Sequence, residues 1–268
     1  MTPQLETHID GTAVRWFALV SHYEGMRAEV YQYLSNQLVE PLYLTTTLDT
    51  LLDRSPLIVA LNERDPLSSH LRKENTLYFS APSEVSFDTA LMILRNRMKV
   101  QFGGSRKGLF HYYVPAVASY FFSRSDREDT AAWLGYFNSV YFYRQTLSDN
   151  PGWIYQRSSN SASDIDDWVL TESQERALND KFHEQAIHRW SEDHQISSVN
   201  WQKQKSVRSF CTQHQIDEQP LLSRLRHLVH LYDVSLYDLG FLPEKIQSSH
   251  AIVENIEQFI SREHHHVV

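Results

Sequence analysis

Residues 86–122 constrain the chain more tightly than any other stretch. Ser86 is placed to cap a helix, and Phe87, Ala90, Leu91, Leu94, Met98 and Phe102 follow at steps of three and four, the spacing of one apolar helix face. The pattern predicts a helix running to about Phe102. Gly103 and Gly104 then supply a permissive break, and Leu109 to Val114 is a short apolar, aromatic run suited to a buried strand. Pro115 stops that strand and opens a further helix whose apolar positions are Val117, Ala118, Phe121 and Phe122.

Around this unit, strand and helix patterns alternate. Trp16–Tyr23 has strand length, a helical pattern follows through Met26, Val30, Tyr31 and Leu34, and Pro41–Thr45 reads as a short strand. Leu48–Leu52 is a helical turn and Pro56–Asn62 the most apolar strand candidate. Asp65 caps a short helix with Pro66 at its first position, and Thr76–Ala81 is the next strand. Thr130–Phe137 is helical, and Val140–Gln145 pairs with Trp153–Gln156 around the turn at Asn150-Pro151-Gly152. Residues 158–167, serine-rich and polar, read as a connector. Beyond it the period is helical in four segments: one through Leu178, Phe182, Ala186 and Trp190, then 201–215, 220–232 and 249–262. The expectation is an α/β (α+β) N-terminal lobe with a mixed sheet over 1–157, followed by an all-α C-terminal lobe of about four helices over 168–268.

Composition narrows the function classes. Hydrophobic residues make up 41% of the 268 and charged residues 22%, which is globular, while 12% aromatic is rich. The single cysteine, Cys211, excludes an internal disulfide framework, the first twelve residues lack a basic end followed by an apolar run, and no stretch approaches the roughly 20 apolar residues of a membrane span. A cytoplasmic protein without membrane insertion is expected. Net charge is −8 and uneven: residues 1–157 hold 15 Lys and Arg against 16 Asp and Glu, residues 158–268 hold 10 against 17. An acidic second half argues against nucleic acid as a partner.

Each candidate reactive constellation in the sequence has a plainer reading. The turn Gly103–Gly108 lacks the Lys and Ser or Thr of a phosphate loop and runs from helix to strand, the wrong order for that motif. His183 and His188 are five apart, so their rings diverge on a helix, and His227 and His230 lack a third ligand nearby; the run His264–His266 binds metal only adventitiously. Cys211 reads as core filler, and Asp164, Asp166 and Asp167 sit in the connector. No cofactor, metal site or catalytic residue is expected. The basic residues Arg95, Arg97, Lys99, Arg106 and Lys107, with no acid among residues 95–107, form either a solvated face or a contact for an acidic partner surface, with Phe110, Tyr112 and Tyr113 beside them. The Trp and Tyr residues at 16, 23, 31, 33, 112, 113, 190 and 201 either fill cores or line a groove between the lobes that holds a polypeptide.

Leu94-Arg95, followed after a glycine break by Leu109-Phe110-His111-Tyr112-Tyr113-Val114-Pro115, resembles the DUF4123 family of bacterial type VI secretion adaptor chaperones. Two positions depart from that motif: His111 stands where Arg is usual and Val114 where Asp is usual. The resemblance covers most of 14–157, and a helical tail after an α/β lobe is similar to the family's layout. It implies a cytoplasmic adaptor, not an enzyme, that binds a cognate toxin effector by the effector's N-terminal region and loads it onto the VgrG spike. The residues expected to face a partner are Arg95, Arg97, Phe110, His111, Tyr112, Tyr113 and Trp190. The competing classes are a small hydrolase built from dispersed His and Asp, and a structural component of the secretion apparatus.

Overall fold

Trp16-Phe17-Ala18-Leu19-Val20 offers no polar side chain to water on either face, so it has to be an interior strand. The computed structural model describes residues 5–62, 67–103, 105–158, 168–239 and 248–265. In it this run forms the buried end of β2 (Thr12–Val20). A short β1 (His8–Ile9) pairs with the start of β2. After α1 (Met26–Tyr33) come β3 (Val39–Pro41), a 3-10 turn at Asp49–Arg54, β4 (Leu57–Leu61), α2 (Leu67–His70) and β5 (Thr76–Pro82). Then follow α3 (Phe87–Asn96), β6 (Lys99–Phe102), β7 (Arg106–Leu109), α4 (Pro115–Arg124), α5 (Arg127–Leu134), β8 (Ser139–Arg144), β9 (Gly152–Arg157) and β10 (Trp168–Val169). Asp65 and Pro66, expected to start α2, lie outside the described residues.

The main sheet runs β3–β4–β2–β5–β8–β9 with every pair antiparallel, and a small sheet runs β10–β6–β7 with β10 parallel to β6. Register divides the main sheet's side chains between two cores. Phe17 opposite Phe79, and Leu19 opposite Ile58 and Leu77, face a layer that includes α3, α4 and Trp133; Ala18 opposite Val59 and Tyr78 faces Met26 and Val30 of α1. A one-residue slip would exchange the two sets.

The chain separates into two compact units, Met1–Lys181 and Phe182–Val268, a division that falls within α6 (Glu172–Asp193). Of the connector expected at 158–167, only Ser158 is among the described residues. Trp168 and Val169 pair with Val100 and Gln101, which places them in the first unit. The second unit holds the end of α6 with α7 (Trp201–Gln213), α8 (Gln219–Leu231) and α9 (Ser249–His265). Its core gathers Val207, Phe210, Cys211, Leu225, Val229, Val253 and Ile256. Burial there pushes the Cys211 thiol up to about 11, as suits a packing residue. The α+β fold class with four C-terminal helices is therefore as expected, with parallel pairing confined to the small sheet.

Within residues 86–122 the ends of the unit match expectation and its centre does not. Ser86 Oγ accepts from Thr89 N at 3.1 Å, and Pro115 opens α4. But α3 stops at Asn96, Lys99–Phe102 is a strand, and the strand expected at Leu109–Val114 lies earlier, at Arg106–Leu109, pairing back onto β6. The reason is periodic. Met98 and Phe102 are four apart, a spacing shared by a helix face and by alternate strand positions, and Val100 between them is buried as a strand requires. The glycine turn thus joins two strands. Gly108 admits the Phe102 ring: a Cβ there would stand 2.6 Å from Phe102 Cε2. Similarly, the strand expected at Pro41–Thr45 is Val39–Pro41, and the chain turns directly after it.

Candidate functional site

From Leu109 the chain leaves the small sheet and must bury three rings before Pro115 restarts regular structure. Phe110 N donates to Met98 O at 2.8 Å, which holds the exit, and the Phe110 ring packs 4.8 Å from that of Phe121. Tyr112 is wholly buried, and its hydroxyl donates to Leu94 O at 2.7 Å. Tyr113 is also buried; its carbonyl accepts from Ser21 Oγ, and its hydroxyl lies 2.6 Å from the Tyr43 hydroxyl and 2.5 Å from His111 Nδ1. His111 itself is exposed. The turn therefore sends two consecutive tyrosines inward and leaves the imidazole at the surface, anchored through one nitrogen.

The His111–Tyr113–Tyr43 chain forms part of the wall of a depression of about 380 Å³ that Ser21, His22 and Arg54 also line. Burial pushes the Tyr113 phenol up, and its hydrogen bond to Tyr43 adds to this, so it keeps its proton at neutral pH. Although His111 is exposed as a whole, the partial desolvation of its ring where it packs against Tyr113 holds the imidazole below its usual value, so the neutral ring predominates at neutral pH. Two proton arrangements satisfy the chain: Tyr113 donates to Nδ1 while accepting from Tyr43, or Nδ1–H donates to Tyr113 and Tyr113 to Tyr43. Either leaves Nε2 as the atom offered outward, a donor in the first and an acceptor in the second. Such a group can bind a partner's backbone or move a proton.

A pH dependence follows. Because the folded-state value of His111 is lowered, the unfolded chain binds the extra proton more readily, and the contribution of this residue falls as pH drops through the unfolded value near 6.5. His111→Gln should therefore lose less thermal stability than the natural protein between about pH 7.5 and about pH 5.5. Identical losses in paired melting curves would rule this out.

The other residues expected to face a partner are dispersed. Arg95 reaches Glu40 Oε1 at 2.6 Å and the carbonyls of Leu42 and Pro41 at 3.0 and 3.1 Å, tying α3 to β3. Arg97 is buried, donates to Trp133 O at 2.8 Å, and stands over the Trp168 ring at 4.7 Å. Trp190 is buried in the second unit, with His194 and His230 beside its ring. Of the basic cluster only Lys99, Arg106 and Lys107 are exposed. Of the eight Trp and Tyr positions singled out, Trp16, Tyr112, Tyr113 and Trp190 are buried, Tyr23, Tyr33 and Trp201 half-buried, and Tyr31 exposed.

Sequence reasoning missed a group of half-buried rings on β8 and β9. Tyr141 sits opposite Tyr155 and Tyr143 opposite Trp153, with ring centroids 4.7 and 5.7 Å apart. Lys73 lies over the Tyr143 ring at 4.3 Å and Arg157 over Tyr155 at 5.3 Å. The signal was present as alternation, aromatic at 141 and 143 and again at 153 and 155. Since β9 ends the main sheet, these rings form an aromatic rim at its edge. Among the described residues, no group of three or more His, Cys, Asp or Glu is placed to hold a metal ion, and no helix is long and apolar enough to cross a membrane.

Residues 16–132 match a family model described as "Domain of unknown function (DUF4123)". The match spans less than half of the chain, from within β2 to within α5. No curated protein and no solved structure matches the chain.

Proposed function

We propose that this protein is an adaptor chaperone of a type VI secretion system, which binds a cognate toxin effector in the cytoplasm, by the effector's N-terminal region, and promotes its loading onto the VgrG spike. The observation that carries this reading is the match of residues 16–132 to DUF4123, over a segment that keeps the motif's packing residues. Phe110, Tyr112 and Tyr113 serve the interior, so the client is held elsewhere: by the aromatic rim of β8 and β9, and by groups such as His111 Nε2 that surround the nearby depression. Half-buried Trp and Tyr rings supply large contact area at low entropic cost. Handover to the spike requires reversible, noncovalent binding, of order micromolar to nanomolar.

Coexpression with the toxin gene tests this. The toxin should become soluble and copurify with the protein in stoichiometric amount. A toxin equally soluble and equally recovered without the protein would overturn the reading.

The anchored His111 favours a second reading, a small hydrolase using Nε2 as a base. His111→Ala separates the two. Loss of ester or amide turnover with client capture intact supports the hydrolase; capture that weakens with no turnover in either form supports the adaptor.

A further inference from the structure

The hydroxyls behind His111 fix which way their protons run. Tyr43 is only 7% exposed, and its hydroxyl has a single hydrogen-bond partner among the described residues, the Tyr113 hydroxyl at 2.6 Å. A buried O–H needs an acceptor, so the Tyr43 hydrogen is directed at the Tyr113 oxygen. Tyr113, also buried, then sends its own hydrogen to His111 Nδ1, 2.5 Å away. Nδ1 is thereby an acceptor, and the neutral ring carries its hydrogen on Nε2. The opposite arrangement would point Nδ1–H at Tyr113 and strand the Tyr43 hydrogen in the interior. Of the two arrangements that the chain allows, burial selects the one in which His111 offers a donor to the depression.

The other groups around that depression agree. Arg54 and His22 line it, both are exposed, and neither forms a hydrogen bond or an ion pair with another described residue. Glu74, the one acid among the described residues that line it, has Lys73 Nζ at 3.6 Å. Ser21 Oγ donates to the Tyr113 carbonyl, and Gln145 Nε2 to the Glu74 carbonyl at 2.8 Å. A guanidinium, an Nε2–H and a second imidazole are left to meet a ligand. The space of about 380 Å³ lies toward the small end of ligand-holding pockets, which suits a side chain better than a long segment.

We infer that this depression receives a carboxylate borne by an acidic side chain of a partner polypeptide, accepting from His111 Nε2–H and neutralised by Arg54. An ionised carboxylate only accepts, which matches a wall whose open groups donate, and a guanidinium can hold it through two parallel N–H bonds. Bound this way, the acid ends a line that runs from Tyr43 to Tyr113 to His111 to carboxylate, with every hydrogen bond donated in one direction, so that each polarises the next. The inference rests on the adaptor reading for its polypeptide and deepens it by naming the group that enters.

The test is NMR on the full chain with isotope-labelled histidine, the His111 signals being those lost in His111→Gln. Its ring nitrogens should report hydrogen on Nε2. The probe is an eight-residue peptide of glycine and serine around one glutamate, capped at both ends. Titration should shift the His111 ring signals, and the dissociation constant should rise about tenfold or more in Arg54→Gln, a surface variant that should melt like the natural protein. A twin peptide with glutamine for glutamate should bind at least about tenfold more weakly. Hydrogen on Nδ1 in the natural protein, equal affinity for the twins, or unchanged affinity in Arg54→Gln would each overturn the inference. So would tighter binding of inorganic phosphate, or of the glutamine twin left uncapped at its carboxyl end, which would make the ligand a free anion or a chain end. Toxin captured with unchanged affinity by Arg54→Gln would remove the depression from the client contact and leave the adaptor reading standing. Glutamate-peptide binding that Arg54→Gln weakens, without toxin capture by the natural protein, would keep the carboxylate site and remove the adaptor reading.

Discussion

Trp133→Ala should lower the thermal midpoint of the first unit by about 8–16 °C, the equivalent of about 4 kcal/mol in a unit of this size. Trp133 is wholly buried and is the hub of the aromatic core: Tyr112 and Phe122 lie 5.0 and 5.1 Å from its ring, Phe121 5.6 Å, Phe79 6.4 Å and Phe110 6.5 Å. These partners come from β5, α4 and the turn before it, so no single element can move to fill the cavity. Its indole Nε1 is buried with no hydrogen-bond partner among the described residues. Trp133→Phe deletes that unsatisfied donor along with some volume and should cost only about 1 kcal/mol. Circular dichroism melts of the three proteins decide it, and an Ala variant within about 3 °C of the natural protein would show that the hub collapses without penalty.

The second unit has a different weak point. Glu184 is wholly buried, and Lys205 Nζ stands 2.6 Å from its Oε1. Lys205→Ala takes away that cation and leaves the carboxylate in the interior, at a cost of about 3 kcal/mol. In urea unfolding followed by helix signal, the midpoint should fall by about 1–3 M. Replacing both residues, Glu184→Leu with Lys205→Met, removes the desolvation penalty together with the attraction and should recover most of that loss. If the single variant loses less than about 0.5 kcal/mol, the pair is not what accommodates Glu184.

What could be read from sequence alone follows from how local each signal is. β2, β4 and β5 announce themselves as apolar runs, Ser86 and Pro115 as helix-start signals, and the β8–β9 hairpin as two strands around a Pro-Gly turn; all are present. The β6–β7 hairpin was hidden because Met98 and Phe102 satisfy two periods at once. The fate of the basic cluster depends on register: Arg95 and Arg97 turn inward to Glu40 and the tryptophans, whereas Lys99 and Lys107 turn out. The hydroxyl chain could not be foreseen, because Tyr43 and Tyr113 meet across 70 residues. Nor could the Arg97–Trp168 contact, which depends on a strand pairing of similarly long range.

The order of strands in the main sheet also sets a problem of timing. β5 is an interior strand only because β8 lies beside it, yet β8 is made more than 50 residues later. On the ribosome, then, a nascent chain that has released everything up to residue 132 presents β5 with one open side, and Trp133 and Phe137 have not yet arrived to cover Phe79. That half-finished sheet is sticky by construction. A protein read here as a keeper of other chains passes through a stage of its own synthesis in which it needs the same protection.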